Sequence, residues 1–242
     1  MFELIPSLLV ESRKEFEEKL RLVEPHCQTV HVDILDGSLF PNTTWFDAEA
    51  VGAMRTKVNY ELHLMVENPL PIITRWVELV ANTKRAIVHA EMHRPMGAVL
   101  DHIKQILHLE NGIALNPESP LQEIHSIIKE IDQLTLLGVH PGLSGQKPVF
   151  AVETIFQKIR EALGHRPDLM IEIDGGVTNE TVEKLKQAGA KRVCMASYLF
   201  QNHDPARRIL EIQKQLSTLN KKNVILPSLL FSFSYEKNLY ST

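Results

Sequence analysis

Eight short apolar segments, each followed by a longer stretch of helical period, run through the 242 residues of this chain. The segments lie near residues 3–8, 28–34, 58–66, 84–90, 110–115, 132–139, 168–174 and 191–197. Their alternation with helices is the pattern of βα units feeding a parallel sheet. With eight units, closure into a barrel leaves no sheet edge unpaired and covers the outer face with helices. The sequence therefore predicts an α/β fold: a single-domain (βα)8 TIM barrel over residues 1–219, followed by a tail over 220–242. Hydrophobic residues make up 44% of the chain and charged residues 23%, enough apolar material to fill such a core. An open doubly wound sheet is the alternative, but no GxGxxG follows the first strand to form a nucleotide crevice.

Local signals mark the helix ends. Ser12 with Glu15 forms a capping box, and Ser119, Pro120 and Gln122 offer a cap, an N1 proline and the box partner. Asn68-Pro69 and Asp204-Pro205 repeat the cap-then-proline form, and Gly189 sits where a left-handed residue would end a helix. Beyond Asn220-Lys221-Lys222-Asn223, which reads as a break, Val224 to Phe233 is an apolar run interrupted by Pro227. It is expected to pack on the barrel or fray, with a subunit contact in a homo-oligomer as the alternative.

The 26 basic and 30 acidic residues are interspersed, with a net charge of -4, so neither a nucleic-acid nor a membrane footprint stands out and a small-molecule partner is expected. Cys27 and Cys194 have no framework or CxxC spacing, the first ten residues lack a basic n-region and a cleavage site, and no apolar run reaches 18 residues. A reducing cytoplasm is the expected setting.

Active sites of (βα)8 barrels lie at the C-terminal ends of the strands, so polar residues late in a strand are the candidates for chemistry. Ser7 lies late in the first strand, His31 and Asp33 in the second, His63 with Met65 in the third, and Asp174 ends the seventh. Residues two apart in a strand share a face, so His31 and Asp33 point the same way. Inside a barrel, a carboxylate on that face needs a partner or a metal. Two imidazoles and two carboxylates could supply four N/O ligands to one divalent cation, Zn²⁺ first, with Fe²⁺, Mn²⁺ or Co²⁺ also suited. The loops after strands seven and eight, with Gly175-Gly176-Val177 and Ala196-Ser197, stand where such barrels often hold a phosphate. His140 to Gln146 after strand six could form a mobile flap.

Pro6-Ser7, His31-Val32-Asp33-Ile34-Leu35-Asp36-Gly37 with Pro41-Asn42, His63-Leu64-Met65-Val66, Ala114-Leu115-Asn116-Pro117 with Pro120, Pro141-Gly142 with Gly145-Gln146, and Glu172-Ile173-Asp174-Gly175-Gly176-Val177 together resemble the ribulose-phosphate 3-epimerase family. The resemblance runs from Ile5 to about Leu216. It implies a metal-dependent 3-epimerase interconverting D-ribulose 5-phosphate and D-xylulose 5-phosphate through an enediolate. His31, Asp33, His63 and Asp174 would bind the metal, and Asp33 and Asp174 would act as acid and base on opposite faces of the substrate. Ser7, His63, Gly142, Gly145, Asp174, Gly175, Gly176, Ala196 and Ser197 would contact the substrate, a phosphorylated ketose. Leu35, Met65 and Leu137 would lie near the enediolate, leucine standing at two positions where the family usually has methionine. Ala196 and Ser144 stand where glycine is usual, and His140 where asparagine or glutamate is more common. Alternatives are a 3-epimerase of a six-carbon ketose phosphate such as allulose 6-phosphate, and a non-catalytic phosphosugar-binding barrel. The Asp-x-Lys-x-x-Asp motif of related decarboxylases is absent from the second strand.

Overall fold

In the computed structural model of the chain, eight parallel strands close into one barrel in sequence order. The structure describes residues 2–142, 145–146, 149 and 152–222, without the side chains of Val152 and residues 218–222. The strands are β1 (Glu3–Leu8), β2 (Thr29–Ile34), β3 (Asn59–Leu64), β4 (Thr83–His89), β5 (Glu110–Leu115), β6 (Gln133–Leu137), β7 (Met170–Asp174) and β8 (Arg192–Met195). The helices are α1 (Arg13–Val23), α2 (Ala48–Ala53), α3 (Pro69–Leu79), α4 (Met96–Asp101), α5 (Val152–His165), α6 (Val182–Ala188), α7 (Ser197–Phe200) and α8 (Pro205–Lys222). All eight expected strands form. The eighth stops at Met195 because Ala196 and Ser197 already turn into α7.

Alternation along each strand sorts the residues into two populations. Val30, Val32, Ile34, Leu62, Leu64, Ile171 and Ile173 belong to the apolar shell between strands and helices. Tyr60 of β3 meets Trp76 of α3 edge to face at 5.8 Å within that shell. The intervening positions, His31, Asp33, Glu61, His63, Thr135 and Glu172, are buried polar groups. They make the interior of this barrel polar toward its C-terminal mouth.

The helix signals are realised unevenly. The Ser12 hydroxyl accepts from the Glu15 N–H, and Asp204 Oδ1 accepts from the Arg207 N–H at 2.9 Å, so both cap as expected. Asn68 makes no side-chain cap, although Pro69 does open α3. The expected helix at Ser119-Pro120 is a 3₁₀ turn over Leu121–Ile124 instead. The residue that opens this turn is Pro120, whose side chain cannot cap it, while the Ser119 hydroxyl donates to Glu91 in the loop after β4. α8 continues to Lys222, through the expected break at Asn220. The apolar run Val224 to Phe233 and Ser144 of the expected flap lie outside the described residues. Among the described residues no helix is long and apolar enough to cross a membrane.

Gly189 ends α6 at φ +115°, its turn closed by N–H bonds to Leu185 and Lys186 carbonyls. A Cβ there would meet Leu163 Cδ1 at 2.6 Å in addition to the left-handed strain. Gly189→Ala is therefore expected to cost about 1 kcal/mol or more, a fall in Tm of at least ~2 °C. Thermal unfolding checks this, and an unchanged Tm would contradict it.

Candidate active site

Strand register builds the site. Ser7 pairs with His31, Asp33 with His63, and Leu137 with Asp174, so strand pairing gathers these side chains toward the mouth. Asp33 is the centre of the cluster. Its Oδ2 accepts from the Ser7 hydroxyl at 2.6 Å, and its Oδ1 lies 2.9 Å from His63 Nδ1 and 3.3 Å from His31 Nε2. Asp174 Oδ2 lies 3.4 Å from His63 Nδ1 and 3.8 Å from His31 Nε2. His31, Asp33, His63 and Asp174 each offer one ligand atom, all within 4.8 Å of one another.

These residues fit a divalent cation. The His31 Nε2 atom is buried without a hydrogen-bond partner and faces the two aspartates, while His31 Nδ1 is held 2.6 Å from Glu61 Oε1. A histidine braced by a carboxylate on one nitrogen, with the other free to coordinate, is the usual outer-shell arrangement of a metal ligand. Two imidazole nitrogens and two carboxylate oxygens suit zinc and its first-row neighbours.

A second buried set, His31, Glu61, Glu172 and Cys194, lies one level deeper. Its chemistry argues against a cation there. Glu61 is already paired with the Arg85 guanidinium, which also binds Glu110 Oε2 at 2.5 Å. Burial pushes the Cys194 thiol well above its ordinary range, so it stays S–H. A third set, His125, Glu161 and His165, is partly exposed between the 3₁₀ turn and α5, away from the mouth.

The two aspartates are pushed in opposite directions. Burial alone would raise Asp33, but the imidazoles of His31 and His63 beside it hold it well below the usual carboxylate range. Burial, opposed by His31 and reinforced by the Asp33 and Glu61 charges, pushes Asp174 up to about 7. A cation seated among the four would lower both, since positive charge favours the ionised form.

Of the other residues singled out in the sequence, Met65, Leu137, Gly142, Gly145, Gly175, Gly176, Ala196 and Ser197 line the cleft above the cluster. Leu35 does not. It is buried beneath the β6 loop, where a Cβ on Gly142 would meet its Cδ2 at 3.1 Å. Gly175 and Gly176 adopt φ of +88° and +70°, backbone that glycine takes without strain. Ala196 sits at φ -107°, so the alanine in place of glycine carries no left-handed penalty. Asn42 Nδ2 donates to the Gly142 carbonyl at 2.7 Å, tying the loop after β2 to the loop after β6.

Comparison with known proteins now bears on this geometry. The family model described as ribulose-phosphate 3 epimerase family matches residues 3–200. The chain belongs to the ribulose-phosphate 3-epimerase family. It is accordingly an isomerase, a carbohydrate-phosphate 3-epimerase. It is 32% identical over 222 residues to the ribulose-phosphate 3-epimerase of Helicobacter pylori, covering 90% of this chain and 99% of the relative. For the enzyme of that name from Bacillus subtilis the identity is 29% over 218 residues, covering 88% and 99%. Among solved structures, KGPDC from Streptococcus mutans superposes with a TM-score of 0.70 at 10% identity, covering 90% of this chain and 98% of that one. The 3-hexulose-6-phosphate synthase of Salmonella typhimurium gives 0.65 at 13%, covering 89% and 99%. At such identity the likeness shows the fold alone.

Sequence reading overlooked Glu61, Arg85, His89, Glu91 and Glu172 in this member of the family. Glu61 and Glu172 stand two residues before His63 and Asp174, so the same-face rule applied to His31 and Asp33 would have found them. Burial together with the Glu61 charge pushes Glu172 up to about 8, and it accepts from the Thr135 hydroxyl at 3.0 Å as a neutral acid. For Glu61, burial would raise the carboxyl, but Arg85 and His31 hold it well below its ordinary range. Glu61→Ala would leave the Arg85 guanidinium, 6% exposed, with a buried charge short of a partner. The expected loss is about 3–5 kcal/mol of unfolding free energy by urea titration. A loss under ~1 kcal/mol would contradict the account.

Proposed function

We propose that this chain interconverts D-ribulose 5-phosphate and D-xylulose 5-phosphate by moving the proton at C3, with Asp33 and Asp174 as the acid–base pair. One divalent cation would be held by His31, Asp33, His63 and Asp174, with Zn²⁺ first among Zn²⁺, Fe²⁺, Mn²⁺ and Co²⁺. The observation that carries the reading is the convergence of these four ligand atoms within 4.8 Å at the barrel mouth of a member of the epimerase family.

The C3 hydrogen is far less acidic than a carboxylic acid, although the C2 carbonyl beside it can take up the charge left behind. When bound, the cation supplies Lewis-acid stabilisation of that developing charge, as in an enediolate. The chain's own residues do the rest. Inverting C3 requires a proton to leave one face and another to arrive on the opposite face, since return to the same face regenerates the substrate. Two carboxyl groups in opposite protonation states meet that need. Asp33 and Asp174 lie on β2 and β7, separate strands of the one barrel. One removes the proton and the other delivers its own, and the roles exchange when the reaction runs backward. Ser7, fixed to Asp33 Oδ2, orients that carboxylate. Leu137 and Met65 wall the cleft with apolar surface and limit water at the reacting carbon. The phosphate would be held at Gly145, Gly175, Gly176, Ala196 and Ser197 by backbone N–H groups and the serine hydroxyl, with Gly142 and His63 completing the contacts. The expected setting is a reducing cytoplasm, suited to free thiols at Cys27 and Cys194.

Purified, metal-replete protein should interconvert the two pentulose phosphates, lose activity on chelation with recovery on adding metal back, and fall by 10³-fold or more in Asp174→Asn, an order-of-magnitude estimate of about 10²–10⁴ for one acid–base group. Comparing kcat/KM with that for allulose 6-phosphate assigns the carbon number. No turnover of either substrate by the metal-replete wild type would overturn the reading.

A further inference from the structure

Next to the four candidate ligands lies a run of polar groups with no task in the proton transfer, the first of them buried and the others half-buried. His89 closes β4, Glu91 follows it by two residues, and Asn116 and Ser119 come from the loop after β5. His63 turns its Nδ1 toward Asp33 and Asp174, so its Nε2 points the other way. That Nε2 lies 2.9 Å from His89 Nε2. The two rings are within 16° of coplanar with centroids 5.0 Å apart, so the N···N line runs close to the ring planes, the alignment an N–H···N bond requires. One of the two nitrogens must carry a hydrogen and the other a lone pair.

The far end of the run decides which. His89 Nδ1 lies 2.9 Å from Glu91 Oε2. The other oxygen of that carboxylate, Oε1, accepts from the Ser119 hydroxyl and from the Asn116 backbone N–H at 2.9 Å. Burial would raise the Glu91 carboxyl, but His89, the Ser119 hydroxyl and the Asn116 N–H hold it down to about 2, so it is ionised and accepts on both oxygens. His89 then carries its hydrogen on Nδ1, and its Nε2 is bare. His63 in turn carries its hydrogen on Nε2 and leaves the lone pair of Nδ1 for a cation seated between it and the aspartates; without a cation, the ionised Asp33 oxygen 2.9 Å away competes for a hydrogen on Nδ1.

We propose that His89 and Glu91 are positioning residues that fix the tautomer and ring orientation of His63, through the ordered run from Ser119 and Asn116, so that its Nδ1 lone pair is presented to the cation. The inference rests on the reading of His63 as a ligand. It gives both ligand histidines a carboxylate brace: Glu61 touches His31 directly, whereas Glu91 reaches His63 through a second imidazole. Neither His89 nor Glu91 touches substrate in this account. Their effect is exerted on the metal centre.

Two readouts test this without turnover. In Zn²⁺-loaded protein labelled with ¹⁵N-histidine, two-bond ¹⁵N–¹H correlation spectra report which nitrogen of His63 is protonated. Competition with a chromophoric chelator reports Zn²⁺ affinity. The wild type should show His63 in the Nε2–H form. Glu91→Gln keeps one acceptor oxygen where the carboxylate offers two, and should lose less affinity than Glu91→Ala. Glu91→Ala should lower Zn²⁺ affinity by about 10–100-fold. Should Glu91→Ala not fold, His89→Phe removes the acceptor while filling the ring's volume, and the same loss is expected. His63 protonated on Nδ1 in the wild type would overturn the proposal, as would unchanged affinity in the folded variants. A wild type with the expected tautomer and Zn²⁺ affinity that leaves both ketose phosphates unchanged would support this inference and overturn the epimerase reading instead.

Discussion

The ionised carboxylate of Asp33, 5% exposed inside the barrel, is the group around which the other parts are arranged. An isolated buried carboxylate would cost several kcal/mol or more, which ordinary packing cannot offset. Here three neighbouring side chains answer it, Ser7 on one oxygen and the imidazoles of His31 and His63 on the other. Those imidazoles then need partners for their second nitrogens. Glu61 serves one and His89 the other, and each of these draws in a further group, Arg85 and Glu91 respectively. The polar interior is therefore built outward from one charge, each residue satisfying the previous one.

Strand register makes this possible. Parallel pairing sets Asp33 beside His63 and His31 beside Glu61, so that alternate interior positions of β2 and β3 hold complementary groups at two levels. The lower level is closed by Arg85, Gln133, Thr135 and Glu172, and the upper one opens into the cleft. Opposite the ligand cluster, Ile87, Ala114 and Leu137 form a small apolar patch from β4, β5 and β6. Of these three only Leu137 reaches the cleft, where it sets hydrocarbon beside the polar cluster.

Much of this was readable from residue order. Period and length placed all eight strands, and His31, Asp33, His63 and Asp174 could be singled out because polar residues late in a barrel strand have few structural reasons to be there. The deeper groups were equally present in the sequence, as Glu61-x-His63 and Glu172-x-Asp174, but a lone glutamate in a strand carries no local sign of facing inward. His89 and Glu91 were harder still, since their meaning depends on a nitrogen of His63 and a loop contributed by another strand. Ser119 was misread because the turn opens one residue later, at Pro120, and the Ser119 hydroxyl binds Glu91 of another loop. Leu35 follows directly on β2, which ends at Ile34, and lies buried against Gly142 of the loop after β6.

The claim on which the account depends is that one cation sits among two imidazole nitrogens and two carboxylate oxygens, and not in the neighbouring set that contains Cys194. X-ray absorption spectroscopy of the Zn²⁺-loaded protein measures this most directly. The account predicts a first shell of nitrogen and oxygen only, at about 2.0–2.2 Å, with the outer-shell scattering of two imidazoles. A sulfur scatterer near ~2.3 Å, or the signature of a single imidazole, would contradict it.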